Sequence, residues 1–92
     1  MISRKAILEF GEAHPDSVPS LSNWFQITRR ASWRTFVELR EDFGSADQVG
    51  RRTVFNIAGN KFRLIARVNY QTARVFILHI MKHTEYVKGG WK

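Results

Sequence analysis

Cysteine is absent from this chain of 92 residues, which excludes disulfides and thiolate chemistry and fits a reducing compartment. Acid is scarce in one half of it. Residues 51–92 hold nine lysines and arginines against a single carboxylate, Glu85, a net charge of +8, whereas residues 1–50 hold six basic and seven acidic side chains, a net of −1. No apolar run approaches the ~20 residues that cross a bilayer, and no basic start, apolar stretch and small-residue cleavage site marks a signal peptide. The expectation is a soluble, cytoplasmic protein with no membrane association. There is no Pro/Gly-rich linker, no repeat and no low-complexity segment, so residues 1–92 read as one domain, of a size that buries roughly 60–65% of the unfolded chain's surface. Gly-x-Gly-x-x-Gly and P-loop phosphate cradles are missing, as is a Gly-x-Ser-x-Gly elbow, so neither nucleotide-cofactor nor serine-triad chemistry is supported and no cofactor is expected.

What is present changes period part-way along. Over residues 3–14, Ala6, Ile7, Phe10 and Ala13 recur at helical spacing, and Pro15 ends the pattern near His14. Asp16 and Ser17 are candidate caps for a second helix with Pro19 in its first turn and a stripe of Val18, Leu21, Phe25 and Thr28, flanked by Trp24 and Ile27. Ser32 is the expected cap of a short third helix with Trp33, Phe36, Val37 and Leu39 inward, and residues 44–50 read as a loop. Beyond the loop the period becomes two. Residues 53–57 and 62–70 are rich in β-branched and aromatic side chains, and Gly59-Asn60 between them is a favoured hairpin centre. That turn places Ile57 opposite Phe62, Asn56 opposite Arg63, Phe55 opposite Leu64, Val54 opposite Ile65 and Arg52 opposite Arg67. Residues 74–81 form a third strand, nearly continuously apolar as a central or well-covered strand would be, and residues 82–88 a loop or helical turn. The expected fold class is α+β: two to three N-terminal helices packed on one face of a three- to four-stranded antiparallel sheet, the fourth strand supplied by Met1-Ile2. The tail from Lys88 through Lys92 is the segment expected to fray.

Alternation sends Phe55, Ile57, Phe62, Leu64, Ala66 and Val68 to the helix side, and Asn56, Lys61, Arg63, Ile65 and Arg67 to an open face. Cations that close repel one another unless a polyanion or neighbouring acids neutralise them. A merely solvated face is the alternative, but it leaves unexplained why acid is missing from this half alone. Asn56, Arg52, Arg67, Lys82 and Lys88 are the candidate residues for binding such a polyanion. The segment Lys82-His83-Thr84-Glu85-Tyr86 lies at the exit of the last strand, where a rigid sheet positions loop residues. An imidazole there suits general acid–base work, with Lys82 and the Tyr86 phenol as helpers; a capping histidine and a packed tyrosine are the alternative. Metal binding is disfavoured. His79 and His83 are four apart, which suits a helix, yet His79 falls in an expected strand on the core side with Val75 and Ile77, and Glu85 alone cannot hold two ions. The helical spacing of Trp24, Phe25, Trp33 and Phe36 favours a core role over base stacking.

The run Val54-Phe55-Asn56-Ile57-Ala58-Gly59-Asn60-Lys61-Phe62-Arg63-Leu64-Ile65, then Val75-Phe76-Ile77 and His83-Thr84-Glu85-Tyr86, resembles the HigB-type toxins of bacterial toxin-antitoxin modules, a branch of the RelE superfamily. Residues 3–10, His14-Pro15 and Trp33 are similar to that family too. The resemblance implies a RelE-like fold and a metal-independent endoribonuclease that cuts messenger RNA in the ribosomal decoding site. It also implies a HigA-type antitoxin partner with a helix-turn-helix domain. Carried over by position, Lys61 and Arg63 match the family's basic strand, and His83 and Tyr86 its strand-exit motif. These four are the candidate catalytic residues. Leu78 stands where the family usually has Arg, and Lys82 and Val87 where it has Thr and Asp, so the identity of the acid–base groups stays open and Lys82 is a candidate for the missing cation. A non-catalytic RNA-binding module and an inert toxin retained only for a repressor complex are the other readings.

Overall fold

The computed structural model describes residues 4–91. The first apolar stripe winds into α1 (Lys5–Ala13), stopped ahead of Pro15 as expected. Pro15–Ser17 make a single 3-10 turn that runs directly into α2 (Val18–Arg30), with Pro19 in its first turn. Ser17 does not cap α2 with its side chain. Its hydroxyl donates instead to the His14 carbonyl at 2.7 Å and pins the corner between the helices. That corner is tight because position 11 has no side chain: a Cβ on Gly11 would stand 2.9 Å from Val18 Cγ2.

α3 (Phe36–Asp42) begins later than a cap at Ser32 would allow. Thr35 is the cap, its hydroxyl accepting the Glu38 N–H at 3.2 Å, while the Glu38 carboxylate accepts the Arg34 N–H at 2.9 Å. The later start turns Val37 outward, 71% exposed, where it was expected inward; Trp33 and Leu39 are buried and Phe36 packs on the core as expected.

Residues 44–50 are not wholly loop: β1 (Asp47–Val49) pairs antiparallel with β2 (Arg52–Ile57) and supplies the fourth strand. The strand expected at Met1-Ile2 lies outside the described residues. β2 pairs with β3 (Phe62–Asn69) in the expected register, Ile57 opposite Phe62 through Val54 opposite Ile65. β4 (Arg74–Lys82) completes an antiparallel sheet in the order β1-β2-β3-β4. β4 is therefore an edge strand, not a central one, and Phe76 and Leu78 are exposed on it.

One slip in β4 decides where the later side chains go. Ile65 lies opposite His79 but Ala66 opposite Ile77, so Leu78 is an extra, unpaired residue, a bulge. Side chains alternate with period two, so one extra residue inverts every later position. His79 consequently leaves the helix side, against expectation, and is exposed, whereas Ile80 and Lys82 come to the helix side opposite Leu64 and Phe62.

The main core lies between helices and sheet, where Ile7, Leu21, Trp24 and Leu39 meet Phe55, Ile57, Phe62 and Leu64. Trp24 and Phe43 both set ring edges on Phe55, at 5.4 and 5.0 Å between centroids. The opposite face, expected open, is half covered by α4 (His83–Lys88) and by the tail. Gly89, at φ +75, takes the left-handed conformation that ends α4, and the chain folds back so that Trp91, 7% exposed, packs on Val54 and Ile65. The tail expected to fray is thus part of a second, small core. Among the described residues no helix is long and apolar enough to cross a membrane.

Candidate functional site

Where β3 begins and β4 ends, a cleft of about 390 Å³ opens between the sheet and the corner after α1, lined by His14, Asp16, Asn60, Lys61, Phe62, Lys82, His83 and Thr84. Three separate stretches of chain meet there, residues 14–16, 60–62 and 82–84. His14 ends α1, its N–H donating to the Phe10 carbonyl at 2.9 Å and its own carbonyl accepting from the Ser17 N–H and hydroxyl. Its ring lies 4.4 Å from that of Phe10 and 5.5 Å from that of Phe62, so the imidazole rests on apolar support at the cleft wall.

Lys61 closes the β2–β3 turn, and its ammonium stands 3.8 Å from the Asp16 carboxylate. Both side chains are more than half exposed, so the pair adds little stability. What it does is draw the ammonium towards the corner, away from the face of β3. The Lys61 carbonyl accepts the His83 N–H at 2.9 Å, which ties the start of α4 to the hairpin turn. Lys82, brought to the helix side by the bulge, donates its N–H to the Glu85 carboxylate at 3.1 Å, and the negative charge suits the first turn of α4. His83 is half-buried, and its Nδ1 is sealed from solvent with no hydrogen-bond partner.

Arg63 sits behind this cleft. It is 7% exposed, and its guanidinium donates to the Phe62 carbonyl at 3.1 Å and to Asn60 Oδ1 at 3.0 Å. It also lies 5.7 Å from the centre of the Tyr86 ring, which stacks on Trp91 at 5.0 Å with only 12° between planes. The Trp91 indole N–H donates to the Tyr86 carbonyl at 2.9 Å. Arg63, Tyr86 and Trp91 therefore form one column that holds α4 against β3.

The candidates from the sequence are thus divided. Lys61, Lys82 and His83 share the cleft; Arg63 and Tyr86 form the support behind it. Arg67 and Arg52 lie with Arg51 and Leu78 in a different groove of about 480 Å³. Asn56 faces a third, along the open edge of β2 beside Ser20 and Asn23, and Lys88 is exposed at the end of α4. The expected common face of Lys61, Arg63 and Arg67 does not form, because Lys61 belongs to the turn and Arg63 is covered.

Residues 17–89 match the HigB toxin family, the RelE-like toxic component of a toxin-antitoxin system. The chain belongs to this family. The HigB assignment agrees with curated relatives: it is similar to the mRNA interferase HigB of Escherichia coli O6:H1, 29% identical over 91 residues, covering 96% of this chain and 88% of the relative. It is also similar to the mRNA interferase toxin HigB of Escherichia coli K12 and the mRNA interferase HigB of Shigella flexneri, each 26% identical over 94% of this chain and 86% of the relative. A HigB toxin acts opposite an antitoxin, so an antitoxin partner follows from the family. Among the described residues of this HigB toxin, no group of three or more His, Asp or Glu side chains is placed to hold a metal ion.

Three residues of the site escaped the sequence reading. His14 was legible as a helix end before Pro15 and as part of the family resemblance but was given no role in the site, and Asp16 was legible only as a cap; nothing local indicates that both meet a strand end nearly seventy residues away. Trp91 carried a signal, a large apolar side chain immediately after Gly89-Gly90, the pattern of a helix stop followed by a hydrophobic contact back onto the fold.

Proposed function

We propose that this HigB toxin is an endoribonuclease that cleaves messenger RNA on the ribosome, in the cytoplasm, without metal, and that a HigA-type antitoxin with a helix-turn-helix domain silences it. The observation that carries the proposal is the cleft itself: two imidazoles, His14 and His83, and two ammoniums, Lys61 and Lys82, line one cavity. RNA brings its own nucleophile. The 2′-hydroxyl attacks the adjacent phosphorus, the bond from phosphorus to the 5′ oxygen breaks, and the products are a 2′,3′-cyclic phosphate and a 5′-hydroxyl.

Such a step needs in-line positioning, neutralisation of charge on the phosphoryl oxygens, removal of the 2′ proton and delivery of a proton to the leaving oxygen. Lys61 and Lys82 bind the phosphate, which displaces Asp16 from Lys61. One imidazole takes the 2′ proton and the other gives a proton to the departing 5′ oxygen; for His83 the exchanging nitrogen is Nε2, since Nδ1 is sealed. Arg63 and Tyr86 act from behind by fixing α4, and hence His83. Arg52 and Arg67, in their own groove, bind flanking backbone phosphates.

The test is single-turnover cleavage of messenger RNA on programmed ribosomes, with product ends mapped. His14→Gln and His83→Gln each lower the rate about 10²- to 10⁴-fold while ribosome binding holds. A rate within twofold of wild type in either variant would remove that histidine from the scheme.

A further inference from the structure

At the opposite end of the molecule lies another cavity, of about 340 Å³, lined by Arg4, Phe25, Thr28, Arg29, Trp33 and Val68 among others. The cleft sits at Phe62 and this cavity at Val68, ~20 Å along the same strand. Its chemistry differs from that of the cleft. The Arg4 guanidinium lies over the Phe25 ring at 4.6 Å and that of Arg29 at 5.9 Å from the same ring. Neither arginine has a carboxylate within 4 Å among the described residues.

Stability does not explain this pairing. Arg29, in the last turn of α2, suits the negative end of that helix, but Arg4 occupies the N-cap of α1, the positive end, where a cation is disfavoured. Two like charges are held over one ring, and among the described residues no carboxylate pairs with either. Thr28, 4% exposed, is part of the same wall, and its hydroxyl has no hydrogen-bond partner. The remainder of the wall is apolar, with Ala31, Val68 and Val75.

A ligand for this cavity carries negative charge beside an apolar group. Nucleobases fit it poorly, because the aromatic faces are taken. Arg4 covers Phe25, and Trp33 is buried, edge-on to Phe43 at 5.8 Å, with its indole N–H held by Asp42 at 2.8 Å. A peptide that places Asp or Glu next to an aliphatic side chain meets both demands. We propose that this cavity is the docking site of the antitoxin, which inserts an acidic–apolar segment between Arg4 and Arg29 and so captures the toxin from the end remote from its cleft. The inference rests on membership of the HigB toxin family and not on the cleavage scheme.

The test measures antitoxin affinity by calorimetry on full-length proteins, beside growth arrest on co-expression. Arg4→Glu combined with Arg29→Glu weakens antitoxin binding at least 100-fold and yields a toxin that still arrests growth but is no longer relieved by the antitoxin. Lys61→Gln combined with Lys82→Gln leaves antitoxin affinity within threefold. Should the charge reversal unfold the chain, the milder Arg4→Gln and Arg29→Gln pair, expected to weaken binding at least tenfold, decides the matter. The Trp33 indole resonance of wild-type toxin also shifts on titration with antitoxin. Antitoxin binding within threefold of wild type in the folded arginine variants would overturn the proposal. So would an unmoved Trp33 resonance at saturation, or a defect in ribosome binding with antitoxin affinity intact, which would make the cavity an RNA surface.

Discussion

Replacing Trp91 by alanine tests whether the tail is structural and whether it controls the cleft. An aromatic side chain of this size buries roughly 150–250 Å², which at about 25 cal/mol per Å² corresponds to roughly 4–6 kcal/mol measured from a fully exposed reference. Real denatured chains are more compact, so that figure is an upper bound, and truncations of buried aromatics fall at about 3–5 kcal/mol. Trp91 sits in the smaller of the two cores, and its removal leaves the helix–sheet core intact. The chain can therefore lose α4 without unfolding, and the expected cost is at the lower end, about 3 kcal/mol. At 1.4 kcal/mol per factor of ten, that is roughly a hundredfold shift towards an undocked α4. Urea denaturation followed by circular dichroism measures the global cost, and hydrogen exchange of the α4 amides measures the local one. Cleavage should fall together with α4 docking although His83 is untouched. Trp91→Phe keeps the stack on Tyr86 but loses the indole N–H bond, and should cost about 1 kcal/mol. A change below about 1 kcal/mol in Trp91→Ala, with α4 amides as protected as in wild type, would refute the reasoning.

Asp16→Asn should alter stability by less than about 1 kcal/mol, since its ion pair is exposed. It should tighten RNA binding at low salt and steepen the log–log salt slope by about 0.7, as one freed ammonium reaches a single-strand phosphate; fluorescence anisotropy across a salt series checks both. Gly11→Ala forces a carbon 2.9 Å from Val18 Cγ2 and should lower the denaturation free energy by about 1–3 kcal/mol, measurable in urea. Burial raises the Tyr70 phenol above its ordinary value of 10.0. The neutral phenol is the form that the fold retains, so its contribution is complete below pH 10.0 and is lost as pH rises through the folded value. Thermal denaturation from pH 9 upwards should show Tyr70→Phe losing less stability than wild type.

Much of the fold could be read from local pattern. Alternation in residues 53–57 and 62–70, with Gly59-Asn60 between, leaves one pairing that puts Phe55, Ile57, Phe62 and Leu64 on a common side, and the sheet adopts it. Helix order followed from the spacing of Ile7, Leu21, Trp24 and Leu39. The short strand Asp47–Val49 had no such signal, being three residues with polar neighbours that the edge of β2 recruits.

By itself, then, the sequence determined the succession of the three N-terminal helices and the three longer strands, the hairpin register, the segregation of positive charge into the second half, and the presence of His83 and Lys82 at a strand end. Those properties depend on neighbours a few residues apart, where backbone geometry and side-chain period act directly. Only the tertiary structure decided which cations share a site. The bulge at Leu78 inverted the exit of β4 and turned Lys82 towards the corner after α1; packing of Trp91 on Val54 and Ile65 withdrew Arg63 from the surface; and the close approach at Gly11 and Ser17 placed His14 across from His83. Each of these depends on contacts between residues far apart in the chain, which no local periodicity encodes.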